Sequence, residues 1–210
     1  MTISSPEDTL TSKKSTKTTV MNISTERIDV VPLSLDELKT LIRSRAEFEK
    51  RAKCQVSGLE LPNTYCEELA EMIERTPDVW NNKTSDYLFY TLWTLIDREK
   101  KCIVGQFTFN GIPTSNGEVE VFFSIEPPYR RNGYATEVML GILEWAKGAN
   151  LFKTILIEAD LDNKAAMASL KKLGFKPIPT DEEAQERNTL SKYYIRVCKA
   201  SNPLEELDFH

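Results

Sequence analysis

The spacing of apolar and polar residues predicts a strand and a helix in the first part of the chain. Residues 27–33 (RIDVVPL) are rich in strand-forming side chains. A helix is predicted to follow at Ser34, because Ser34 and Glu37 have the spacing of a capping box. The apolar residues after Ser34 recur at helical spacing: Leu35, Leu38, Leu41 and Ile42.

A second helix is predicted to begin near residues 63–64. Thr64 and Glu67 repeat the capping-box spacing, and Pro77 is placed to end the helix. The apolar face of this segment carries Leu69, Met72 and Ile73. Both helices therefore have a side that can pack against a sheet.

Three strand-like runs follow, at residues 90–97, 102–110 and 118–125. The short connections between them predict an antiparallel meander. In the third run, one set of alternate residues is apolar: Val119, Val121, Phe123 and Ile125. The period of two places Glu118 and Glu120 together on the opposite face, with Phe122 and Ser124.

The last part of the chain alternates helices and strands. After the proline pair at 127–128, which stops the third run, we predict a helix over 134–149 and a strand over 154–159. A helix from Asn163 to Leu173, which Gly174 ends, and a strand over 190–198 complete the order. Inward-facing residues of the two helices are Val138, Met139, Ile142, Leu143 and Ala146, and Ala166, Met167, Leu170 and Leu173. This order predicts an α/β (α+β) fold, a mixed sheet with helices on both faces.

The chain of 210 residues has the length of one domain with short tails. Residues 1–22 are crowded with Ser, Thr and Lys, so we expect a disordered tail rather than a transit peptide. The domain is predicted to span 23–200 and to include a solvated acidic loop at 181–186. We expect residues 201–210 to form an acidic C-terminal tail.

Charge and residue counts exclude several classes of function. The net charge of −5 argues against a nucleic-acid-binding protein and favours a cationic partner. The one histidine is the last residue, His210, so Ser-His-Asp and Cys-His catalysts and histidine-based zinc sites are excluded. Without an apolar run of membrane-spanning length or a signal peptide, we expect a cytoplasmic protein that binds no membrane and no metal. Its thiols are expected to be reduced and structural: Cys54, Cys66, Cys102 and Cys198.

The most informative segment is residues 127–137 (PPYRRNGYATE), where a predicted strand turns into a predicted helix. The first turn of a helix has unpaired N–H groups and the positive end of the helix dipole, so it can bind phosphate. Arg130 and Arg131 add positive charge, and Gly133 lets a ligand approach the backbone. The alternative is an ordinary turn with solvated arginines. Neither a Walker motif nor a dinucleotide fingerprint is present.

Three motifs in order resemble those of the GCN5-related N-acetyltransferase superfamily. Residues 130–135 (RRNGYA) are similar to its Q/R-x-x-G-x-G/A signature. Residues 163–175, which run from NKAA to LGF, resemble its N-x-x-[SA] helix closing in L-G-F. Residues 118–123 (EVEVFF) resemble the E-[IL]-G-Y strand of its ribosomal-protein-alanine-acetyltransferase-like branch. Together the motifs relate roughly residues 27–198 to that superfamily.

The resemblance implies a mostly antiparallel sheet of about six to seven strands that splays at the fourth strand, with acetyl-CoA in the split. It implies that backbone amides of the basic turn hold the pyrophosphate and that the thioester arm follows the fourth strand. Asn163 would bond the arm, and Lys172 either reaches the CoA phosphates or is merely solvated. The implied acetyl-CoA-binding set is Phe123, Ser124, Ile125, Arg130, Arg131, Asn132, Gly133, Tyr134, Ala135, Thr136, Asn163 and Lys172.

Acetyl transfer requires a group that takes a proton from the acceptor amine, since an amine is mostly cationic at neutral pH. The resemblance places Glu120 in that role, as base or amine-binding anion, with Glu118 as the second choice. The alternative is a pair of solvated carboxylates. A backbone N–H near Ile125 would meet the oxyanion.

The sequence departs from the family pattern at three positions. Leu170 stands where many members have Tyr, Ala166 where the ribosomal-protein branch has Ser, and Phe122 where relatives have Gly. The general acid therefore stays unassigned, with water, Tyr129, Ser169 and Tyr193 as candidates. Phe122 narrows the acceptor site in one interpretation. Trp93 and Phe109 either line that site or belong to the core.

These observations favour an acetyl-CoA-dependent N-acetyltransferase that acts on a primary amine, as a monomer or homodimer. The acceptor is a small-molecule amine or a protein N-terminus, and the acidic charge favours a cationic small molecule or a basic peptide. Two alternatives stay open: a non-catalytic acyl-CoA-binding or regulatory module with the same fold, and a protein-interaction domain whose turn has lost its ligand.

Overall fold

One mixed sheet organises the part of the chain that the structure, a computed structural model, describes: residues 23–81, 85–178 and 190–197. Within these residues the sheet has eight strands in the order β1-β2-β3-β4-β5-β6-β8-β7, and β5–β6 is its parallel pair. The strands are β1 (Ile23–Ser24), β2 (Ile28–Pro32), β3 (Leu92–Asp97), β4 (Cys102–Phe109), β5 (Glu118–Ile125), β6 (Thr154–Asp160), β7 (Lys176–Pro177) and β8 (Leu190–Arg196).

The mixed, mostly antiparallel sheet is confirmed, and the expected number of six to seven strands was too low. The two additional strands, β1 and β7, have two residues each and lie at the two edges of the sheet. A two-residue segment is too short to show a period of two. Several predictions fall outside the described residues: the tails 1–22 and 201–210, the acidic loop 181–186, and Cys198.

The predicted meander is present, because β3, β4 and β5 pair antiparallel in succession. The predicted alternation in β5 is also confirmed. Val119 and Val121 are buried, whereas Glu118 and Glu120 lie half-buried on the other face. The first strand of the meander begins later than predicted, since residues Ser85–Phe89 form a 3₁₀ turn and β3 starts at Leu92.

Six helices lie in the described residues: α1 (Leu35–Arg43), α2 (Arg45–Arg51), α3 (Asn63–Arg75), α4 (Pro77–Asn81), α5 (Tyr134–Ala149) and α6 (Lys164–Lys172). No helix in the described ranges is long and apolar enough to cross a membrane. The capping box of Ser34 and Glu37 is confirmed at the start of α1. The sequence did not predict α2, which begins directly after Ser44 ends α1, and the hydroxyl of Ser44 accepts the Glu47 N–H.

The second predicted capping box is wrong. Residue Pro62 occupies the N-cap position of α3 without a side-chain hydrogen bond, and Thr64 lies within the first turn of the helix. The capping-box spacing of Thr64 and Glu67 therefore lies inside α3, which begins after Pro62. At the other end, α3 stops at Arg75 and Pro77 opens α4, as its missing N–H permits at a first helical position.

Helices pack on both faces of the sheet, as predicted, and each face has its own apolar core. Residues of α1, α2 and α3 form one cluster with Leu92 and Ile103. Residues of α5 and α6 share the larger cluster, and the five predicted inward residues of α5 are all buried. Neighbouring residues Leu92 and Trp93 lie in different clusters because successive side chains of a strand point to opposite faces.

The N-terminus of α5 is tied to the β1–β2 hairpin by Glu137. Its carboxylate accepts hydrogen bonds from the Thr25 hydroxyl at 2.6 Å and from the Arg27 backbone N–H and Nε at 2.7 Å each. Burial opposes ionisation, but these donors outweigh it and hold the pKa of Glu137 below its usual range. This contact fixes the first turn of α5 relative to the sheet.

Replacement of Gly141 by alanine is expected to destabilise the protein by about 1–3 kcal/mol through overpacking. A Cβ at residue 141 would lie 2.6 Å from the Thr25 methyl carbon, and Thr25 cannot turn away without losing its bond to Glu137. The matched control is Gly148→Ala in the same helix, where a Cβ meets nothing within 4 Å. This control should stabilise the protein by about 0.5–1 kcal/mol. Urea denaturation measures both, and equal effects would contradict the prediction.

Glu137→Gln is expected to lower the free energy of unfolding at neutral pH by about 1–3 kcal/mol, since the bonds are to a charged group. A carboxyl group whose pKa is lower in the folded than in the unfolded protein stabilises the folded state at pH values above its unfolded-state pKa. This stabilisation is lost as the pH falls through the folded-state pKa. The wild type should therefore lose this contribution as the pH falls below about 5, and the variant should not. Glu144→Gln, at an exposed position of the same helix, should leave the pH profile of unfolding unchanged.

Candidate active site

The basic turn after β5 reverses the chain and begins α5. A 3₁₀ turn over Pro127–Tyr129 follows the strand, as the proline pair predicted. Two residues then adopt left-handed backbone conformations, Arg131 with φ +63° and Gly133 with φ +80°. Because a glycine adopts this conformation without steric cost, Gly133 lets α5 begin immediately at Tyr134.

No side chain caps α5, since its N-cap residue is Gly133. The first-turn N–H groups of a helix have no intrahelical acceptor and carry the positive end of the dipole. Arg131, Asn132 and Gly133 are exposed, and Ala135 and Thr136 are half-buried. The turn thus offers backbone donors and a guanidinium at one exposed place, an arrangement suited to a phosphate group.

Two exposed side chains of the turn, those of Arg130 and Asn132, donate hydrogen bonds to nearby backbone carbonyls. Arg130 donates from Nε to the Ile125 carbonyl at 2.9 Å, which folds its side chain back toward the end of β5. Asn132 donates from Nδ2 to the carbonyl oxygens of Tyr129 and Arg130 at 3.0 and 3.1 Å. These bonds hold the loop backbone in place before a ligand arrives.

The Tyr134 side chain belongs to the core and leaves only its backbone at the turn. Its hydroxyl donates to Asp97 and accepts from Lys100, each at 2.6 Å, and the Arg27 guanidinium lies 4.6 Å from the ring centroid. Burial and the bond to Asp97 raise the pKa of Tyr134. The backbone N–H of Lys100 and the Tyr134 hydroxyl outweigh burial and lower the pKa of Asp97. This network attaches the first residue of α5 to the end of β3 and to the connection between β3 and β4.

The strands β5 and β6 diverge beside this turn. Their pairing runs from Glu118–Thr154 to Val121–Ile157, whereas β5 stays paired with β4 as far as Ile125. The second half of β5 therefore borders a split on its β6 side, which agrees with the splay expected at the fourth predicted strand. Phe123, Ser124 and Ile125, the predicted thioester-arm residues, lie along this half.

Gly105 on β4 is a residue that sequence reasoning missed. It lies opposite Ile125, and a Cβ at residue 105 would come within 2.3 Å of the Ser124 carbonyl oxygen. Only glycine permits this close approach of β4 to the end of β5. A single glycine inside a strand pattern was the available signal.

Glu120 forms a hydrogen-bonded cluster on the face of β5 that α5 does not cover. Its Oε2 accepts from Asn110 Nδ2 at 2.8 Å, and its Oε1 lies 3.5 Å from Lys192 Nζ. The same ammonium is 2.9 Å from Glu158 Oε1. Contact with Glu158 raises the pKa of Lys192. The structure brings Glu120 and Glu118 to one face, and it adds Lys192 and Glu158, which the sequence had not singled out.

The three aromatic residues considered for an acceptor site have different environments. Trp93 and Phe109 are buried in an aromatic core cluster, 6.1 Å apart between ring centroids, so the core alternative is confirmed for both. Phe122 is 51% exposed, on the same face as Glu120. Among these three, Phe122 alone is open to a ligand on that face.

The residues predicted on the far side of the split lie at the two ends of α6. Asn163 is the N-cap of this helix, and its Oδ1 accepts the Ala166 N–H at 3.0 Å. Lys172 is exposed in the last turn. The capping role of Asn163 explains its place in the sequence without a ligand, and its amide group retains donor capacity.

The candidates for a general acid are engaged elsewhere. A hydrogen bond to Cys102, together with burial, raises the pKa of Tyr129 to about 12. The Ser169 hydroxyl donates to the Ala165 carbonyl within α6. Tyr193 and Leu170 are buried in the core that α5 and α6 share.

A buried ion cluster connects the loop before the basic turn to α2. Arg45 is 2.8 Å from Glu49 Oε1 and 2.5 Å from Glu126 Oε1, and its side chain is 6% exposed. Burial raises the pKa of Glu126. No local sequence pattern predicts this contact, since Arg45 and Glu126 are 81 positions apart.

Comparison with known proteins agrees with this geometry. The profile of the Acetyltransferase (GNAT) domain family matches residues 27–176. The chain is 31% identical over 97 residues to the Bacillus subtilis (strain 168) protein named uncharacterized N-acetyltransferase YjdG. These residues make up 46% of this chain and 56% of that protein. The chain spans about half of the length of the curated relatives it matches.

Solved structures share the fold at low sequence identity. A spermidine N-acetyltransferase from Vibrio cholerae, in complex with CoA and spermine, is 14% identical with a TM-score of 0.57 and covers 82% of this chain and 97% of its own. A ribosomal-protein-S5-alanine acetyltransferase from Vibrio fischeri is 12% identical with a TM-score of 0.57 and covers 87% and 100%. With its splayed sheet, its uncapped helix after a basic turn and a family profile over most of its length, the chain belongs to the GNAT acetyltransferase domain family.

Proposed function

We propose that this protein is an acetyl-CoA-dependent N-acetyltransferase that acetylates a primary amine with Glu120 as the base. The observation that carries the proposal is the uncapped, glycine-started N-terminus of α5 at the end of the splayed strand β5, with the carboxylate of Glu120 at the third residue of that strand. The first feature suits an anionic cosubstrate, and the second suits an amine.

Acetyl-CoA is expected to use the backbone of the basic turn. The N–H groups from Arg131 to Thr136 would meet the pyrophosphate, and Arg131 would supply positive charge. The acyl arm would follow residues 123–125 along the open side of β5. Asn163 would contact the arm from α6, and Lys172 is proposed near the CoA phosphates.

The proposed reaction is a direct attack. The acceptor nitrogen loses a proton to Glu120, directly or through water, and forms a bond to the thioester carbonyl carbon. A backbone N–H near Ile125 stabilises the oxyanion of the tetrahedral intermediate. The carbon–sulfur bond then breaks, and the thiolate takes a proton from water. A thiol pKa near ~8.5 makes the thiolate a fair leaving group.

The contacts of Glu120 support this proposed role, because they orient its carboxylate before substrate arrives. Asn110 fixes one oxygen, and Lys192 contacts the other at 3.5 Å, longer than its 2.9 Å contact with Glu158. An incoming amine can therefore compete for Glu120 Oε1. Glu118 lies two residues earlier on the same face and remains the second choice.

The acceptor is proposed to be a cationic primary amine, either a small molecule or the N-terminus of a basic peptide. Glu118, Glu120 and Glu158 bring three carboxylates to one face of the sheet, and Lys192 contacts two of them. Two relatives with this fold are named for such acceptors, spermidine in one and a ribosomal-protein alanine in the other.

Gly133→Asp is expected to abolish the CoA-dependent rise in melting temperature. It puts a carboxylate where the pyrophosphate would lie and removes the residue that tolerates φ +80°. Differential scanning fluorimetry with CoA measures the loss. Gly111→Asp has the same backbone strain at φ +81° in open space and should retain the full shift. A normal shift in Gly133→Asp would exclude the turn as the pyrophosphate site.

Glu120→Gln is expected to lower turnover about 10²–10⁴-fold, the usual contribution of a positioned base. The affinity for CoA should change little, because Glu120 lies in the half of β5 that is paired with β6, away from the basic turn at the other end of the strand. Thiol release from acetyl-CoA with a panel of amines measures turnover. An unchanged rate would remove Glu120 from the mechanism. Tight CoA binding by the wild type without turnover of any amine would favour the non-catalytic alternative.

A further inference from the structure

Lys192 contacts two carboxylates on the face of the sheet that bears Glu120. Its Nζ lies 2.9 Å from Glu158 Oε1 and 3.5 Å from Glu120 Oε1, so one ammonium bridges two carboxylates. Each of these carboxylate side chains is 23% exposed, and Lys192 is 50% exposed. The bridge is accessible to a solute from this face.

Strand register places this bridge at the start of the split. Val121 and Ile157 form the last pair between β5 and β6, and Glu158 is the next residue along β6. Glu158 is directly opposite Lys192 in the β6–β8 pair, so their side chains share one face. On β5, the exposed ring of Phe122 follows Glu120 on this same face. An ammonium bound here lies next to the open edge of β5.

We infer that Lys192 is a specificity-determining residue that fills a second cation position and limits the acceptor to one ammonium group beside Glu120. The inference rests on the proposed function, in which Glu120 receives the acceptor amine. The shorter contact keeps Lys192 on Glu158 when an acceptor takes the longer one at Glu120. Within the bridge itself, the carboxylates of Glu120 and Glu158 and the ammonium of Lys192 leave one negative charge, which a single further ammonium group balances.

Removal of the lysine charge should therefore open a site for two ammonium groups. In Lys192→Met, the carboxylates of Glu120 and Glu158 lose the cation that they share. The second ammonium group of a bound diamine can then take the position of the lysine ammonium. Hydrogen bonds to charged groups are strong enough to give a change of about tenfold in affinity. We expect the ratio of diamine to monoamine affinity to rise about tenfold, and Lys192→Arg to keep the wild-type ratio.

The opposite variant should have the opposite effect. Glu158→Gln removes the nearer partner of Lys192, so the ammonium moves onto Glu120 and competes with the acceptor. We expect monoamine affinity to fall several-fold. A purely structural role for the bridge would move both variants in the same direction.

The experiment is calorimetric titration of butylamine and diaminobutane into each variant with CoA present, which requires no turnover. Lys147→Met is the matched control, since Lys147 pairs with Glu144 on α5 at 3.7 Å, outside the site. An unchanged affinity ratio in Lys192→Met, or weaker diamine binding, would overturn the inference. A wild type that binds amines as expected but releases no thiol from acetyl-CoA would instead contradict the proposed function.

Discussion

The divergence of β5 from β6 is the constraint on which the candidate site depends. β5 stays paired with β4 up to Ile125, but it pairs with β6 only as far as Val121. One strand thereby has two environments. Its first half is held on both sides and presents Glu120 in a fixed cluster, and its second half has an open edge beside the turn into α5. A sheet that continued its pairing would leave no space for a ligand arm between the strands.

Charged contacts between distant segments hold the surroundings of that split. Glu137 ties the first turn of α5 to the β1–β2 hairpin, and the buried pair of Arg45 and Glu126 ties the preceding loop to α2. Breaking such a pair by removal of one partner leaves a desolvated group, which costs more than the pair contributes when it is intact. The loop that would meet the cosubstrate is therefore positioned from both faces of the sheet. Electrostatic preorganisation of this kind reduces the ordering that binding requires.

Much of the fold could be predicted because its signals are local. The alternation in β5 and the apolar stripe of α5 each predicted an element whose bounds match the structure. The predicted helix boundaries were wrong where one local pattern is compatible with more than one position of a helix end. Thr64 and Glu67 have capping-box spacing but lie inside α3, and Ser44 both ends one helix and begins the next. The basic turn at 130–135 was recognisable because its motif is contiguous in the sequence.

The sequence by itself determined the order of the elements, the faces of the strands, and the turn that begins α5, because each depends on residues a few positions apart. Only the tertiary structure decided which groups meet across the sheet. The ammonium of Lys192 reaches Glu120 and Glu158 because β8 pairs with β6, and β6 pairs with β5. These contacts join residues 34 and 72 positions apart and depend on the register between strands, which no spacing within a single segment encodes.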